Sequence, residues 1–139
     1  MVKFLMVFLI IGATSGYAEM NLDALAMIES SNNPKAVNRD EGSYGLFQIS
    51  PIALRDFNER VGSKHTVKNL MREETNAHIA IWLLEVRIPQ LLAAAKKPQT
   101  TRNVLISYNC GVGCLDRKNL PKTTLDYLTK YRRLTGEKV

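Results

Sequence analysis

Apolar residues recur at helical spacing along this chain, and proline, glycine or asparagine cuts each run short. That alternation limits the fold to short helices, each with one apolar stripe to bury against its neighbours. The clearest stripe is Ile79, Trp82, Leu83 and Val86, at i, i+3, i+4 and i+7, and it is expected to face the core. Asn32-Asn33-Pro34 stops an earlier helix, and a loop then runs through Gly42 and Gly45. Ser50-Pro51 starts the next, with Ser50 as N-cap, and Leu54 and Phe57 lead to a stop at Gly62. Pro89 is expected to end or kink the helix that carries the stripe, with helical character resuming from Leu91 before Pro98. Thr100 or Thr101 caps a helix through Val104, Leu105 and Tyr108 that stops at Gly111. A last helix begins near Thr123 or Thr124, with Asp126 closing a capping box if Thr123 is the cap, and with Tyr127, Tyr131 and Leu134 on one face. The predicted class is mainly α, with any strand confined to Tyr44 through Ile49.

Lys3, an apolar run from Phe4 to Ala13 and small residues up to Ala18 form the pattern of a secretory signal peptide cut after Ala18. The apolar run is too short to span a bilayer. Residues 1–18 are thus read as signal peptide and residues 19–139 as one domain of 121 residues, long enough for its own core. Removing Lys3 leaves eighteen Lys and Arg against thirteen Asp and Glu, a net charge of +5. The basic residues are dispersed, with short clusters at Lys96-Lys97 and Arg132-Arg133, and no stripe interleaved with aromatics points to nucleic acid. An exported basic protein meets anionic envelope polymers or membrane surfaces instead.

Cys110 and Cys114 are the two cysteines, and outside the cytoplasm such a pair reads first as a disulfide closing a tight loop, with free thiols as the alternative. A metal site built from them and His78 lacks a fourth ligand, and His65 and His78 lack ligand spacing to each other. No metal or other cofactor is expected.

Glu29 stands out chemically. On a helix from about Leu22 it projects within roughly 20° of Leu22, inside the apolar arc of Ile28, Leu25 and Ala26, with Met27 on the wet side. Burial and the negative end of the helix dipole both disfavour ionisation, so its pKa is expected above the ordinary ~4.3. A carboxylic acid protonated near neutrality is suited to general acid catalysis.

Glu29-Ser30, Asn33-Pro34-Lys35-Ala36, Gly45-Leu46-Phe47-Gln48-Ile49 and Ser107-Tyr108-Asn109-Cys110-Gly111 follow one another in the order of a known set of motifs. Together they resemble the lytic transglycosylase domain of the soluble (SLT) type, a lysozyme-like α+β fold related to goose-type lysozyme. Asn76 and Tyr127 are weaker echoes of the same family. Cys110 replaces the usual alanine, and Thr123 stands where a glutamate is common.

The resemblance implies that Glu29 is the sole catalytic carboxylate and that the substrate is the glycan strand of peptidoglycan. It implies cleavage between N-acetylmuramic acid and N-acetylglucosamine with formation of a 1,6-anhydro ring. Gln48 would then meet N-acetyl or hydroxyl groups, Gly45 would allow close backbone approach beside the acid, and Tyr108 would bond Glu29 or the acetamido group. Asn109 would brace its loop, Tyr127 would line the cleft, and Ser30 would orient Glu29 or cap locally. Two rival readings stand beside it: a hydrolytic muramidase with Asp40 or Glu41 holding a water, and a non-catalytic wall-binding assembly subunit. The expected setting is the periplasm or the exterior, as a monomer serving a secretion, conjugation or pilus complex or a phage.

Overall fold

A computed structural model describes residues 19–139, so the expected signal peptide lies outside the described residues. The order of elements is α1 (Leu22–Ser30), β1 (Val37–Asn38), β2 (Ser43–Tyr44), α2 (Pro51–Val61), a 3-10 turn (Val67–Met71), α3 (Glu73–Trp82), a π turn (Leu83–Arg87), α4 (Ile88–Ala94), α5 (Thr101–Cys110), a second 3-10 turn (Val112–Asp116) and α6 (Lys122–Thr135). The domain is mainly α, as the punctuated helical pattern predicts.

The Asn21 side chain caps α1 by accepting from the Ala24 amide at 2.9 Å. The helix stops where Ser31 turns left-handed, with the Ser31 and Asn32 amides folding back to the Met27 and Ala26 carbonyls. Ser50 caps α2 through the Ala53 amide, and Gly62 at φ 76° ends it. Thr100, not Thr101, caps α5.

Strand structure begins earlier than expected: Val37–Asn38 pairs antiparallel with Ser43–Tyr44, and only an isolated bridge joins Tyr44 to Ile49. Two-residue strands are too short to leave an alternating pattern in a sequence.

Pro89 does not end its helix, which continues from Glu73 to Ala94. It lacks the amide that would bond the Glu85 carbonyl, and its ring crowds that carbonyl, so the chain widens into the π turn, in which the Ile88 amide reaches the Leu83 carbonyl. The wider turn re-aims the apolar stripe. Ile79 is buried as expected, but below it Leu84, Ile88 and Leu92 take the core, while Trp82 and Leu83 are only partly covered and Val86 faces solvent.

The start of α6 also differs. Pro121 occupies the cap position without a side-chain bond, Asp126 pairs with Lys122 at 2.7 Å, and Thr124 is buried inside the first turn. Tyr127, Leu128 and Tyr131 form its inner face, and Leu134 is exposed. The Tyr131 hydroxyl already accepts from the Asn21 amide at the very start of α1, so residue 134 lies past the helix it would have packed on.

The core joins Leu25 of α1, Phe57 of α2, Ile79 and Leu92 of the long helix, Leu105 of α5 and Tyr131 of α6. Helix α5 packs against both α4 and α6. Its end is tied by a Cys110–Cys114 disulfide with Cα atoms 6.0 Å apart, within the span such a bridge requires. His65 and His78 both pack on Phe57.

Candidate active site

The last turn of α1 delivers Glu29 to a groove of about 810 Å³, where Gln48, Tyr108, Asn109, Asp56 and Arg87 also line the walls. Burial raises the Glu29 pKa from 4.5 to about 7, helped by the charge of Glu41 and opposed by a hydrogen bond from Tyr127 and by Lys130. The Tyr127 hydroxyl donates to Glu29 Oε1 at 2.6 Å. Burial beside Glu29 holds both the Tyr127 and Tyr108 hydroxyls well above the usual tyrosine range, so both remain protonated donors. The acid is thus fixed by one strong donor, with its other oxygen unclaimed by any hydrogen bond among the described residues.

The neighbouring wall is the turn from Gly45 to Ile49, and its shape depends on a residue behind it. Asn76 is fully buried on α3. Its Oδ1 accepts from the Phe47 amide at 2.7 Å, and its Nδ2 donates to the Tyr44 and Leu70 carbonyls at 2.8 and 3.0 Å. Gly45 is required at this point: at φ 79°, a Cβ would overlap the Asn76 side chain and the Leu70 carbonyl. Gln48, left-handed at φ 51°, donates to the Gly45 carbonyl at 2.9 Å and accepts from the Ser43 hydroxyl at 2.7 Å. Its amide is therefore a wall of fixed orientation, with part of its bonding capacity already used.

Tyr108 does not bond Glu29. Its hydroxyl donates to the Phe47 carbonyl at 2.8 Å, pinning the end of α5 to the turn, while Tyr127 holds the acid. Asn109 Oδ1 accepts from Thr124 Oγ1 at 2.8 Å, joining the end of α5 to α6, and the residue is also exposed on the groove. The Ser30 hydroxyl donates to the Leu46 carbonyl at 2.7 Å and accepts from the Asn33 amide, so it ties the end of α1 to the Gly45 turn. Of the expected contact residues, Gln48, Tyr108 and Asn109 line the groove, whereas Ser30, Gly45 and Tyr127 are not part of its lining. Glu41 lines the groove and Asp40 does not.

One part of the groove was not anticipated. Arg87 Nε donates to Asp56 Oδ2 at 2.6 Å, and Arg60 Nε donates to Asp56 Oδ1 at 2.7 Å. Burial works against the Asp56 charge, but the hydrogen bonds from Arg60 and Arg87 outweigh it and hold that carboxyl below its usual range. The Asp56 and Arg60 spacing of four residues is readable on a helix, but the partner 31 residues away is not. Among the described residues no group of three or more His, Cys, Asp or Glu side chains is placed to hold a metal ion.

A half-buried glutamate with its pKa raised to about 7 thus stands at a helix end in an open groove of a small, lysozyme-like helical domain, an arrangement chemically suited to proton transfer. The sequence pattern of the transglycosylase SLT domain matches residues 6–128, and the chain belongs to that family. No curated protein and no solved structure matches the chain.

Proposed function

We propose that this protein is a lytic transglycosylase in which Glu29 is first the acid and then the base. The observation that carries the reading is the Glu29 carboxyl itself, raised to about 7 by burial and held at the groove by the Tyr127 hydroxyl. Protonated Glu29 gives its proton to the oxygen linking N-acetylmuramic acid to N-acetylglucosamine, and the bond from that oxygen to C1 breaks. The 2-acetamido oxygen of the muramic residue bonds C1 and holds the developing charge, so no protein nucleophile is needed. The Glu29 carboxylate then takes the proton of the C6 hydroxyl as O6 attacks C1 and displaces the acetamido oxygen. The 1,6-anhydro ring is closed, Glu29 is protonated again, and no water is consumed.

Gln48 and Asn109 offer amide groups to the sugar along the groove, and Tyr108 holds the wall between them. Hydrolysis by a water bound to Glu41 is the second reading, favoured by the position of Glu41 on the groove. A non-catalytic wall-binding role leaves the tuned acid without a purpose. We place the enzyme in the periplasm or outside the cell as a monomer, opening the wall locally for a secretion, conjugation or pilus complex or for a phage. Glu29→Gln tests the reading directly. The variant is expected to fold and to lose activity on purified sacculi by at least about a thousandfold, because an amide cannot deliver the proton. Turbidity clearance within about tenfold of wild type would overturn it.

A further inference from the structure

Resting on the peptidoglycan reading, we propose that Arg87 is a substrate-binding residue that takes a carboxylate of the glycan strand. Arg87 leaves the π turn and lines the same groove as Glu29, with its side chain 17% exposed. Its Nε is engaged by Asp56, and among the described residues its two terminal nitrogens have no hydrogen-bond partner. A guanidinium oriented through one nitrogen keeps the remaining edge of its donor fork, whose geometry matches a carboxylate.

The local charge points the same way. Asp56 carries one negative charge against the two positive charges of Arg60 and Arg87, so the trio is one charge short of neutral. Among the described residues no ion pair joins Glu41 or Glu59, which also line the groove, to either arginine. Glu59 faces Arg55 at 3.9 Å on the adjoining turn of α2, and Glu41 lies on the loop after β1. Asp56 is therefore a positioning residue: it holds Arg87 on the groove wall, and each of its two oxygens accepts from a guanidinium. The π turn is part of the same device, since it sets which side of the long helix Leu83, Arg87 and Leu91 present to the groove.

The strand offers carboxylates from two sources. Where the stem peptide has been removed, the lactyl group of muramic acid carries a free carboxylate. Where the peptide remains, that carboxyl is an amide, and the charge sits farther out on the peptide.

The experiment compares kcat/KM of wild type, Arg87→Gln and Arg87→Lys on three substrates: peptide-bearing strands, strands stripped of peptide, and stripped strands whose carboxyls have been converted to methylamides. Wild type is expected to prefer at least one charged substrate over the neutral one by about tenfold, the worth of a partly solvated charge-assisted hydrogen bond, mostly through KM. Arg87→Gln is expected to erase that preference and Arg87→Lys to restore part of it. Preference for stripped strands identifies the lactyl carboxylate, and preference for peptide-bearing strands identifies the stem. A wild type that cleaves charged and neutral strands equally well overturns the proposal without recourse to any variant, as does an Arg87→Gln protein that keeps the preference. Failure of wild type to cleave any of the three would instead overturn the peptidoglycan reading on which the proposal rests.

Discussion

A glutamate that gains its charge near pH 7 weakens the fold whenever it is ionised. Glu29 is raised from 4.5 to about 7, so below 4.5 it is protonated both folded and unfolded and costs nothing. As pH rises the unfolded chain releases its proton first, and stability falls until the folded carboxyl has also ionised, above about 7. The difference corresponds to about 2 to 3 kcal/mol, allowing for partial solvent contact. Glu29→Gln is therefore expected to match wild type in denaturant unfolding at about pH 4 and to exceed it by that amount at about pH 8. A gap that does not change with pH would contradict the raised carboxyl. Tyr127→Phe removes the donor that favours the Glu29 charge, so the alkaline limb of the kcat/KM profile should move to higher pH, with kcat down about tenfold. An unmoved limb would show that the hydroxyl does not govern the acid. The apolar direction of Glu29 is legible in the sequence because 3.6-residue periodicity alone sets it. Its partner is not, because Tyr127 lies 98 residues away and reaches it only after α6 packs on α1.

Among the elements, the turn from Gly45 to Ile49 bears most on the site while having almost no regular structure of its own. Its shape is imposed from α3 by Asn76, which satisfies one backbone amide and two carbonyls. Asn76→Ala leaves those groups without partners and should cost about 3 kcal/mol or more, read as a lower midpoint in urea. A loss under about 1 kcal/mol would mean that water or backbone movement replaces the side chain. The cap Ser50, and Thr100 as one of two adjacent choices, could be read from sequence because capping uses neighbours within three residues. Val86 and Leu134 could not be placed that way. The π turn at Pro89 shifts the register of one helix, and the last turn of α6 outruns α1. Each depends on an event outside the local period.

At the scale of the whole molecule, the helices form a scaffold whose groove gathers residues from α1, the Gly45 turn, α2, the long helix and α5. The order of short motifs made the family readable, since each motif marks a place where two of these elements meet. The ion pair between Asp56 and Arg87 left no such mark, because its two halves lie on helices whose relative position only packing decides. Glu41 separates the two chemistries at this scale. If it merely adds negative charge near Glu29, Glu41→Gln should retain glycan cleavage and shift the alkaline limb slightly to lower pH. Loss of all activity in that variant would promote the hydrolytic reading.

In a transglycosylase the muramic residue closes on itself and no water enters, and the product decides between that outcome and hydrolysis. Mass spectrometry of fragments released from purified sacculi by the wild-type protein should find termini lighter than hydrolysis products by one water and resistant to borohydride reduction, as 1,6-anhydro-N-acetylmuramic acid requires. A product dominated by borohydride-reducible N-acetylmuramic acid would contradict the account and make the protein a muramidase.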